Sequence, residues 1–328
     1  MTDNMATRIK KWRFYFIIVV VAIVASTFYL LQKPFIPSTF TDYTPKWSKF
    51  ALEQLPEQIQ KMEKTFSNLK KDCDKKIVFF GKPVITSLSF IYIPGFTATR
   101  KEIFPVVESL AKQFSANYFL TRFPAHGEGP LDYKNINAQG FFDTTYEALE
   151  VGSLIGKKKI VVGTSTGGAL AAAALLQDAD VAATVLIAPA FAIYPTNSWL
   201  LSTRAGPFIN RIVTDEYRTW TPKNPAMELY WNTVHHRDGL IALLQSIEYI
   251  RSLSFSKIDK PVLMLYTKND NAVINDVIIA KFAEIPNAHK RLVEIPSSHH
   301  VLAGEFTSPE TTEIVIKEIH DWLQSLDL

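Results

Sequence analysis

The sequence is poor in cysteine, in net charge and in repeated or low-complexity segments. Its 328 residues include a single cysteine, Cys73, which excludes an intramolecular disulfide and a thiolate metal cluster. Cys73 lies in the charged run 70–76, which predicts an incidental surface thiol. The formal net charge is only +3, and no basic stripe with interleaved aromatics follows the N-terminus, so nucleic-acid binding is not expected. The length and the 47% of hydrophobic residues fit one large globular domain with an appendage.

The N-terminus supplies that appendage. Basic residues between positions 8 and 13 precede an uncharged run, Phe14–Leu31, of about 18 residues, which is roughly the shortest helix that spans a bilayer. The run has no polar face, and Tyr15 and Tyr29 near its ends suit the headgroup region. A cleaved signal peptide is the alternative, but its apolar region is usually shorter and ends at a small-residue cleavage site. We therefore expect an uncleaved transmembrane anchor over residues 1–32, with the N-terminus cytoplasmic and the rest extracytoplasmic, periplasmic in a bacterium.

Residues 33–76 predict a proline-interrupted linker followed by a surface helix, Phe50–Leu69. From residue 77 to 328 apolar strands alternate with helices, which predicts an α/β fold with a mostly parallel, doubly wound sheet. The predicted strands are Ile77–Phe80, Ser87–Ile93, Asn117–Arg122, Ile160–Val162, Val181–Ala188, Val262–Tyr266 and Leu292–Ile295. The predicted helices between and after them are Glu102–Phe114, Phe141–Ile155, Gly168–Leu176 and Pro309–Leu326.

One segment, about 190–258, interrupts this alternation. It is rich in aromatic residues, shows no convincing buried strand, and has helical patterns near Asn197–Arg211 and Gly239–Ser252. A long insertion after a strand of such a sheet usually covers the carboxyl edge, where ligands bind. We therefore expect a helical cap, in which most aromatics pack the cap onto the core and a few face an apolar pocket.

A six-residue motif, Gly163-Thr164-Ser165-Thr166-Gly167-Gly168, lies between a predicted strand and a small-residue helix. The order strand, G-x-S-x-G, helix is typical of a nucleophile elbow. Gly163 and Gly167 would avoid Cβ collisions where the strand doubles back, and the turn would strain the backbone at Ser165. Taken alone, the motif could be an ordinary glycine-rich turn, so the hypothesis depends on partners elsewhere in the chain.

Those partners follow later strands. Asp270 comes just after the predicted strand 262–266 and His300 just after the strand 292–295, so both are expected at the same sheet edge as Ser165. A serine nucleophile needs a base, and the base needs an orienting carboxylate. Of the adjacent histidines, His300 is favoured as the base and His299 is the alternative. Alone, the aspartate could be a helix cap and the histidines a solvated loop.

A tetrahedral intermediate also needs an oxyanion hole. One expected donor is the backbone N–H of Thr166, the residue after the nucleophile. The other is the backbone N–H of Phe96 in the loop after strand 87–93, where Gly95 allows close approach and Pro94 has no N–H to donate.

These motifs resemble the α/β-hydrolase superfamily from about Ser87 to the C-terminus, and most closely its branch of carboxylesterases, monoacylglycerol lipases and serine aminopeptidase S33-type hydrolases. Residues 92–99 resemble that branch's His-Gly-Phe-Thr oxyanion loop, with Pro94 in place of the histidine. Residues 123–129 resemble its Gly-His-Gly loop, in which His126 is expected to be structural. The usual glycine before Asp270 is missing. The resemblance implies the α/β-hydrolase fold with a helical cap, but the fold alone does not fix a substrate.

The expected function is that of a membrane-anchored serine hydrolase that cleaves carboxylic esters, lipid or acylglycerol esters among them, through an acyl-enzyme. Neither a cofactor nor a metal is expected. A serine peptidase of the S33 type is one alternative, and it would need an acidic residue such as Glu216 or Glu228 facing the pocket to bind a charged amino terminus. Acyl transfer to an alcohol is another. Outside the enzymes, the alternative is a catalytically inactive binding module.

Overall fold

A central sheet organises the chain from residue 76 onward. The computed structural model describes residues 2–33, 35–177 and 180–328. The strands in this part are β1 Lys76–Val78, β2 Thr86–Ile93, β3 Asn117–Leu120, β4 Gly156–Thr164, β5 Val181–Ile187, β6 Tyr217–Thr219, β7 Val234–His236, β8 Val262–Tyr266 and β9 Arg291–Glu294. Seven of these described strands form one sheet in the order β1-β3-β2-β4-β5-β8-β9. Only β1 runs antiparallel to its neighbour, so the predicted mostly parallel sheet is confirmed.

Helices cover both faces of this sheet. The helices are α1 Thr2–Leu30, α2 Leu55–Glu63, α3 Val106–Gln113, α4 Ala138–Ile155, α5 Thr166–Leu175, α6 Gly206–Val213, α7 Pro225–Tyr230, α8 Gly239–Ser252, α9 Asn275–Glu284 and α10 Pro309–Gln324. Successive strand residues point to opposite faces. In β2, Ile91 and Ile93 face the core under α4, α5 and α8, whereas Phe90 and Tyr92 face the core under α3 and α10. Burial on both faces explains why these strands read as continuous apolar runs.

Several helices begin or end away from their predicted positions, because prolines or a capping side chain set their ends. The helix predicted from Glu102 begins at Val106, because Pro105 stands at its N-cap and disfavours helical geometry before it. The helix predicted from Phe141 begins three residues earlier, because the Asn137 side chain accepts the Gly140 N–H at 2.9 Å and caps it. The helix predicted over Phe50–Leu69 is confined to α2, which has Pro56 in its first turn.

The cap differs from the helical prediction in two respects. The pattern near 197–211 is broken into a 3-10 turn, Ser198–Ser202, and α6, whose first turn contains Pro207. In addition, β6 and β7 pair as a small antiparallel sheet, so the cap contains two short strands besides the expected helices. Strands of three residues carry too little periodicity to be recognised in a sequence. By contrast, α8 has the predicted bounds, and it packs against α4 and α5 as part of the core.

The N-terminal helix projects from the domain. Its segment Trp12–Leu30 has 19 residues and a mean hydropathy of 2.1, and no part of it is buried in the protein. It is long and apolar enough to cross a membrane, a test that a signal sequence also passes. The side chains of the preceding basic residues Arg8, Lys10 and Lys11 lie outside the described part of the chain.

The segment after this helix is fixed to the domain. The Glu150 carboxylate on α4 accepts the backbone N–H groups of Lys46, Trp47 and Ser48 at 2.6–2.9 Å. The Trp47 side chain is buried, and Phe35 packs against the rings of Phe142 and Tyr249. The predicted linker is therefore ordered. Residues 35–48, called the strap below, lie across α4 and do not form a flexible tether.

Cys73 is buried, so the prediction of a surface thiol was wrong. The charged residues around it have partners that hold the loop against the protein. Lys70 donates hydrogen bonds to the carbonyl oxygens of Glu228 and Trp231 in the cap, and Arg100 pairs with Asp72 and Asp74. These contacts turn Cys73 inward, where it has no exposed surface.

We expect Cys73 to resist thiol reagents in the folded protein. Burial shields the sulfur and raises the pKa of the thiol, so little of the reactive thiolate is present at neutral pH. Titration of the full chain with Ellman's reagent should give no rapid reaction under native conditions and one equivalent after unfolding in guanidinium chloride. One rapidly reacting equivalent in the native protein would contradict the burial of Cys73.

Candidate active site

Ser165 occupies the turn between β4 and α5. Its backbone is in the left-handed region, with φ of 54°, which is strained for a residue with a side chain. The turn is possible because its neighbours lack side chains. A Cβ at Gly163 would lie 2.3 Å from the Gly167 carbonyl oxygen, and one at Gly167 would lie 2.0 Å from the Ile93 carbonyl oxygen. The serine is thus held at the carboxyl edge of the sheet, at the N-terminus of a helix that favours negative charge.

The His300 side chain lies between Ser165 and Asp270. Its Nδ1 is 2.7 Å from Asp270 Oδ2, and its Nε2 is 2.8 Å from Ser165 Oγ. An ionised carboxylate can only accept, so Nδ1 carries the proton and Nε2 accepts the hydroxyl hydrogen of Ser165. The chain therefore brings together three side chains from the ends of β4, β8 and β9 in one hydrogen-bonded line.

The Asp270 carboxylate is fully buried but well supplied with donors. Its Oδ1 accepts the backbone N–H groups of Ala272 at 2.8 Å and Val273 at 3.0 Å. Burial alone would raise the pKa of Asp270. The hydrogen bond and charge of His300, together with the two backbone N–H groups, outweigh burial and hold this pKa below its usual value. The group is therefore a carboxylate at neutral pH.

His299, the alternative base, faces a different partner. Its Nδ1 contacts the Lys223 ammonium group of the cap, and its backbone N–H donates to Ser297 Oγ at 3.0 Å. It lines the same cavity as Ser165 but has no hydrogen bond with either Ser165 or Asp270. Of the two histidines, only His300 lies in position to take a proton from Ser165.

The loop after β2 lies against the serine. A Cβ on Gly95 would be 3.3 Å from the Ser165 Cβ, so this loop and the elbow are in direct contact. The two predicted oxyanion donors, Phe96 and Thr166, directly follow Gly95 and Ser165 in the chain. In the described part of the chain, the backbone N–H groups of Phe96 and Thr166 have no hydrogen-bond partner. Thr166 is the first residue of α5, where an N–H has no partner within the helix.

His126 binds the backbone of the loop after β2. The Thr97 N–H donates to His126 Nε2 at 2.8 Å, so Nδ1 carries the proton and donates to the Pro124 carbonyl oxygen at 3.0 Å. The ring is fully buried, and burial lowers its pKa to about 3. His126 is therefore a neutral residue with both nitrogens bound to backbone, and it fixes Thr97, whose φ of 66° continues the sharp turn.

Glu102 is the residue of this site that the sequence did not reveal. Its Oε2 accepts the Gly95 N–H at 2.7 Å and the Tyr92 hydroxyl at 2.5 Å. Burial raises the pKa of Glu102 to about 7, although both hydrogen bonds and the nearby His300 favour the charged form. In the sequence it reads as the polar start of a helix, and no local signal marks it as buried beside the serine.

Ser165 opens onto a cavity of about 620 Å³. The cavity wall includes Phe96 and, from the cap, Trp220, Met227 and Trp231, which makes much of it apolar. Glu102 is the acidic residue among the described residues that line it. Glu216 and Glu228, the residues that a peptidase would use to bind an amino terminus, are exposed and lie outside the lining. Among the described residues no three His, Cys, Asp or Glu side chains gather into a metal-binding group.

Comparison with solved structures shows the same fold in several lipolytic enzymes. One of two metagenome-derived lipolytic enzymes, LipS and LipT, has a TM-score of 0.66 and 15% identity over 78% of this chain and 99% of its own. A monoacylglycerol lipase of Paleococcus ferrophilus has a TM-score of 0.61 and 16% identity over 77% and 98%. A soluble variant of the Saccharomyces cerevisiae monoglyceride lipase, in complex with a substrate analogue, has a TM-score of 0.59 and 14% identity over 77% and 91%.

No curated protein matches the sequence significantly. The sequence model of the alpha/beta hydrolase family, however, matches residues 90–312, which is more than half of the chain and includes every residue of the hydrogen-bonded line. With the parallel sheet, the strained turn after β4 and the structural neighbours, this match shows that the chain belongs to the alpha/beta hydrolase family.

Proposed function

We propose that this protein is a serine hydrolase that cleaves carboxylic esters. The observation that supports this most directly is the position of the His300 ring, within hydrogen-bond distance of both Ser165 Oγ and Asp270 Oδ2. This geometry is that of a nucleophile, a base and an orienting carboxylate. An inactive binding module would have no need for all three groups in line at a strained turn.

In the first half of the reaction Ser165 Oγ attacks the ester carbonyl carbon while its proton passes to His300 Nε2. Asp270 stays ionised and stabilises the imidazolium through Nδ1. The carbonyl oxygen becomes an oxyanion that accepts the N–H groups of Phe96 and Thr166. Donors of this kind are each worth about 10²–10³ in rate. The tetrahedral intermediate then collapses, the alcohol leaves with the proton from His300, and Ser165 keeps the acyl group.

In the second half water takes the place of the alcohol. His300 removes a proton from the water as it attacks the acyl carbon, and the same two N–H groups hold the second oxyanion. Collapse returns the proton to Ser165 Oγ and releases the carboxylic acid. The cycle needs only groups already in the chain, and it leaves each of them in its starting protonation state.

Two features favour an apolar acyl group as substrate. The cavity wall beside Ser165 carries Trp220, Trp231 and Met227, which suit an acyl chain better than a charged amino terminus. The apolar helix α1 would hold the domain at a membrane, where lipid-derived esters reside. We therefore propose a membrane-anchored esterase or lipase with its N-terminus cytoplasmic and its hydrolase domain on the other side.

Substitutions in the hydrogen-bonded line should abolish ester hydrolysis. For full-length protein in detergent micelles acting on p-nitrophenyl esters, we expect Ser165→Ala and His300→Ala to lower kcat by about 10⁴- to 10⁶-fold, because they remove the nucleophile and the base. Asp270→Asn should lower kcat by about 10⁴-fold, because the wrong tautomer of His300 is then favoured.

His299→Ala is the matched control for His300→Ala, since it removes a neighbouring imidazole from the same cavity. It should keep most of the activity and should still react with a fluorophosphonate probe at Ser165. Equal activity of wild type and Ser165→Ala would disprove the mechanism, and a larger loss in His299→Ala than in His300→Ala would reassign the base.

Glu102 positions the proposed oxyanion loop, because its carboxylate holds the Gly95 N–H next to Phe96. Ionisation of this carboxyl group is unfavourable, because it places a negative charge in the protein interior. Its pKa is about 7 in the folded protein, against 4.5 when exposed, so the folded state holds this proton more tightly than the unfolded state. The contribution of Glu102 to the free energy of unfolding is therefore greatest below pH 4.5 and falls as the pH rises towards 7.

We expect Glu102→Gln to remove this pH dependence. A glutamine can still accept the Gly95 N–H through its carbonyl oxygen but cannot ionise. Compared with the variant, the wild type should lose up to about 3 kcal/mol of unfolding free energy between pH 4.5 and pH 8, since one pKa unit corresponds to about 1.4 kcal/mol. Urea denaturation of both proteins at several pH values measures this difference, and parallel curves would rule out a buried, titrating Glu102.

A further inference from the structure

The outward face of α6 is apolar, although it lies on the surface of the cap. Phe208, Ile212 and Val213 are 70%, 67% and 65% exposed. Phe208 and Ile212 are four residues apart and therefore share one face of the helix. A surface helix of a soluble domain normally turns its apolar face inward and its polar face to water. The described part of the chain leaves this face of α6 uncovered.

The inward face of α6 explains why the helix cannot rotate to bury those side chains. Gly206 and Asn210, also four residues apart, face the interior of the cap and are fully or nearly buried. The Asn210 amide Nδ2–H donates to the Arg237 carbonyl oxygen at 3.1 Å. Because this polar contact holds the inner face, Phe208 and Ile212 remain outward.

Helix α6 begins beside the C-terminal end of the apolar helix α1. The Ala205 N–H donates to the Leu30 carbonyl oxygen at 3.0 Å, and the Arg204 N–H donates to the Gln32 carbonyl oxygen at 3.0 Å. The Arg204 guanidinium lies over the Tyr29 ring, 4.5 Å from its centroid, and donates to the Tyr29 hydroxyl at 3.2 Å. Since α6 begins at the next residue, Phe208 lies within one helical turn of this junction.

We infer that the outward face of α6 inserts into the membrane interface beside α1 and forms a second contact between the cap and the lipid. This inference rests on the membrane anchoring proposed above. A tyrosine at the end of a membrane-spanning helix lies at the headgroup level, so Arg204, stacked on Tyr29, lies there as well. The exposed apolar surface of α1 then continues into that of α6, and the exposed Arg211 on α6 can extend its guanidinium to lipid phosphates.

Site-directed spin labelling of the full chain in phosphatidylcholine vesicles tests this inference. Because the native Cys73 is buried, a nitroxide can be attached selectively to a cysteine introduced by Phe208→Cys or, separately, by Ile212→Cys. Ile314→Cys on α10 is the matched control, since Ile314 is exposed but belongs to the helix layer on the other face of the sheet. Val21→Cys in α1 reports on the anchor, and fluorophosphonate labelling of Ser165 reports on the fold of each variant.

Labels at 208 and 212 should collide with oxygen more often, and with a water-soluble nickel chelate several-fold less often, than the label at 314. Collision ratios at 208 and 212 equal to that at 314 would overturn the inference, as would spin–spin broadening between labels, which would indicate a second copy of the chain on this face. If the label at 21 reports lipid and the labels at 208 and 212 report water, the anchor stands and only the α6 contact is refuted. A label at 21 that reports water would refute the proposed anchor and, with it, a second contact beside α1.

Discussion

The close approach of three backbone segments at the turn after β4 is the constraint on which the site depends. Gly167 leaves only enough room for a hydrogen atom between α5 and the carbonyl oxygen of Ile93 at the end of β2. The same approach brings the loop after β2, with Gly95, into contact with Ser165. A side chain at Gly163 or Gly167 would separate Ser165 from the N–H groups proposed to stabilise an oxyanion. The strained φ of Ser165 is tolerated because packing on both sides leaves the turn no other path.

The sheet and the gathering of Ser165, Asp270 and His300 could be predicted because they follow from simple geometry. Parallel strands end at one edge, so residues that follow β4, β8 and β9 meet there even though more than a hundred residues separate the first from the last. The sequence favoured His300 over His299 as the base but left both open, since adjacent residues in a loop point in different directions. That choice needed the direction of each ring.

Several features that sequence reasoning missed depend on contacts made only in the folded protein. Cys73 looked exposed because its neighbours are charged, yet those charges bind cap carbonyls and acidic side chains. Glu102 looked like a surface residue of a helix, although it holds Gly95 and Tyr92 in the interior. The strap over residues 46–48 is held by Glu150, about a hundred positions later. The partners of Lys70 and Glu150 lie more than a hundred positions away, so a window of ten or twenty residues does not contain them. Gly95 and Tyr92 lie within ten positions of Glu102, but the sequence does not show that this carboxyl group is buried with them.

The strap also determines what the N-terminal helix can do for the domain. A flexible linker would let the domain turn freely above a membrane, but here contacts begin as soon as α1 ends. Lys33 pairs with Glu248 on α8, and Phe35 packs between α4 and α8, while Leu30 and Gln32 accept hydrogen bonds from the residues before α6. Because α8 belongs to the core and α6 to the cap, α1 is joined to both at once. In the proposed arrangement, the cavity beside Ser165 therefore keeps a fixed height and orientation relative to the lipid.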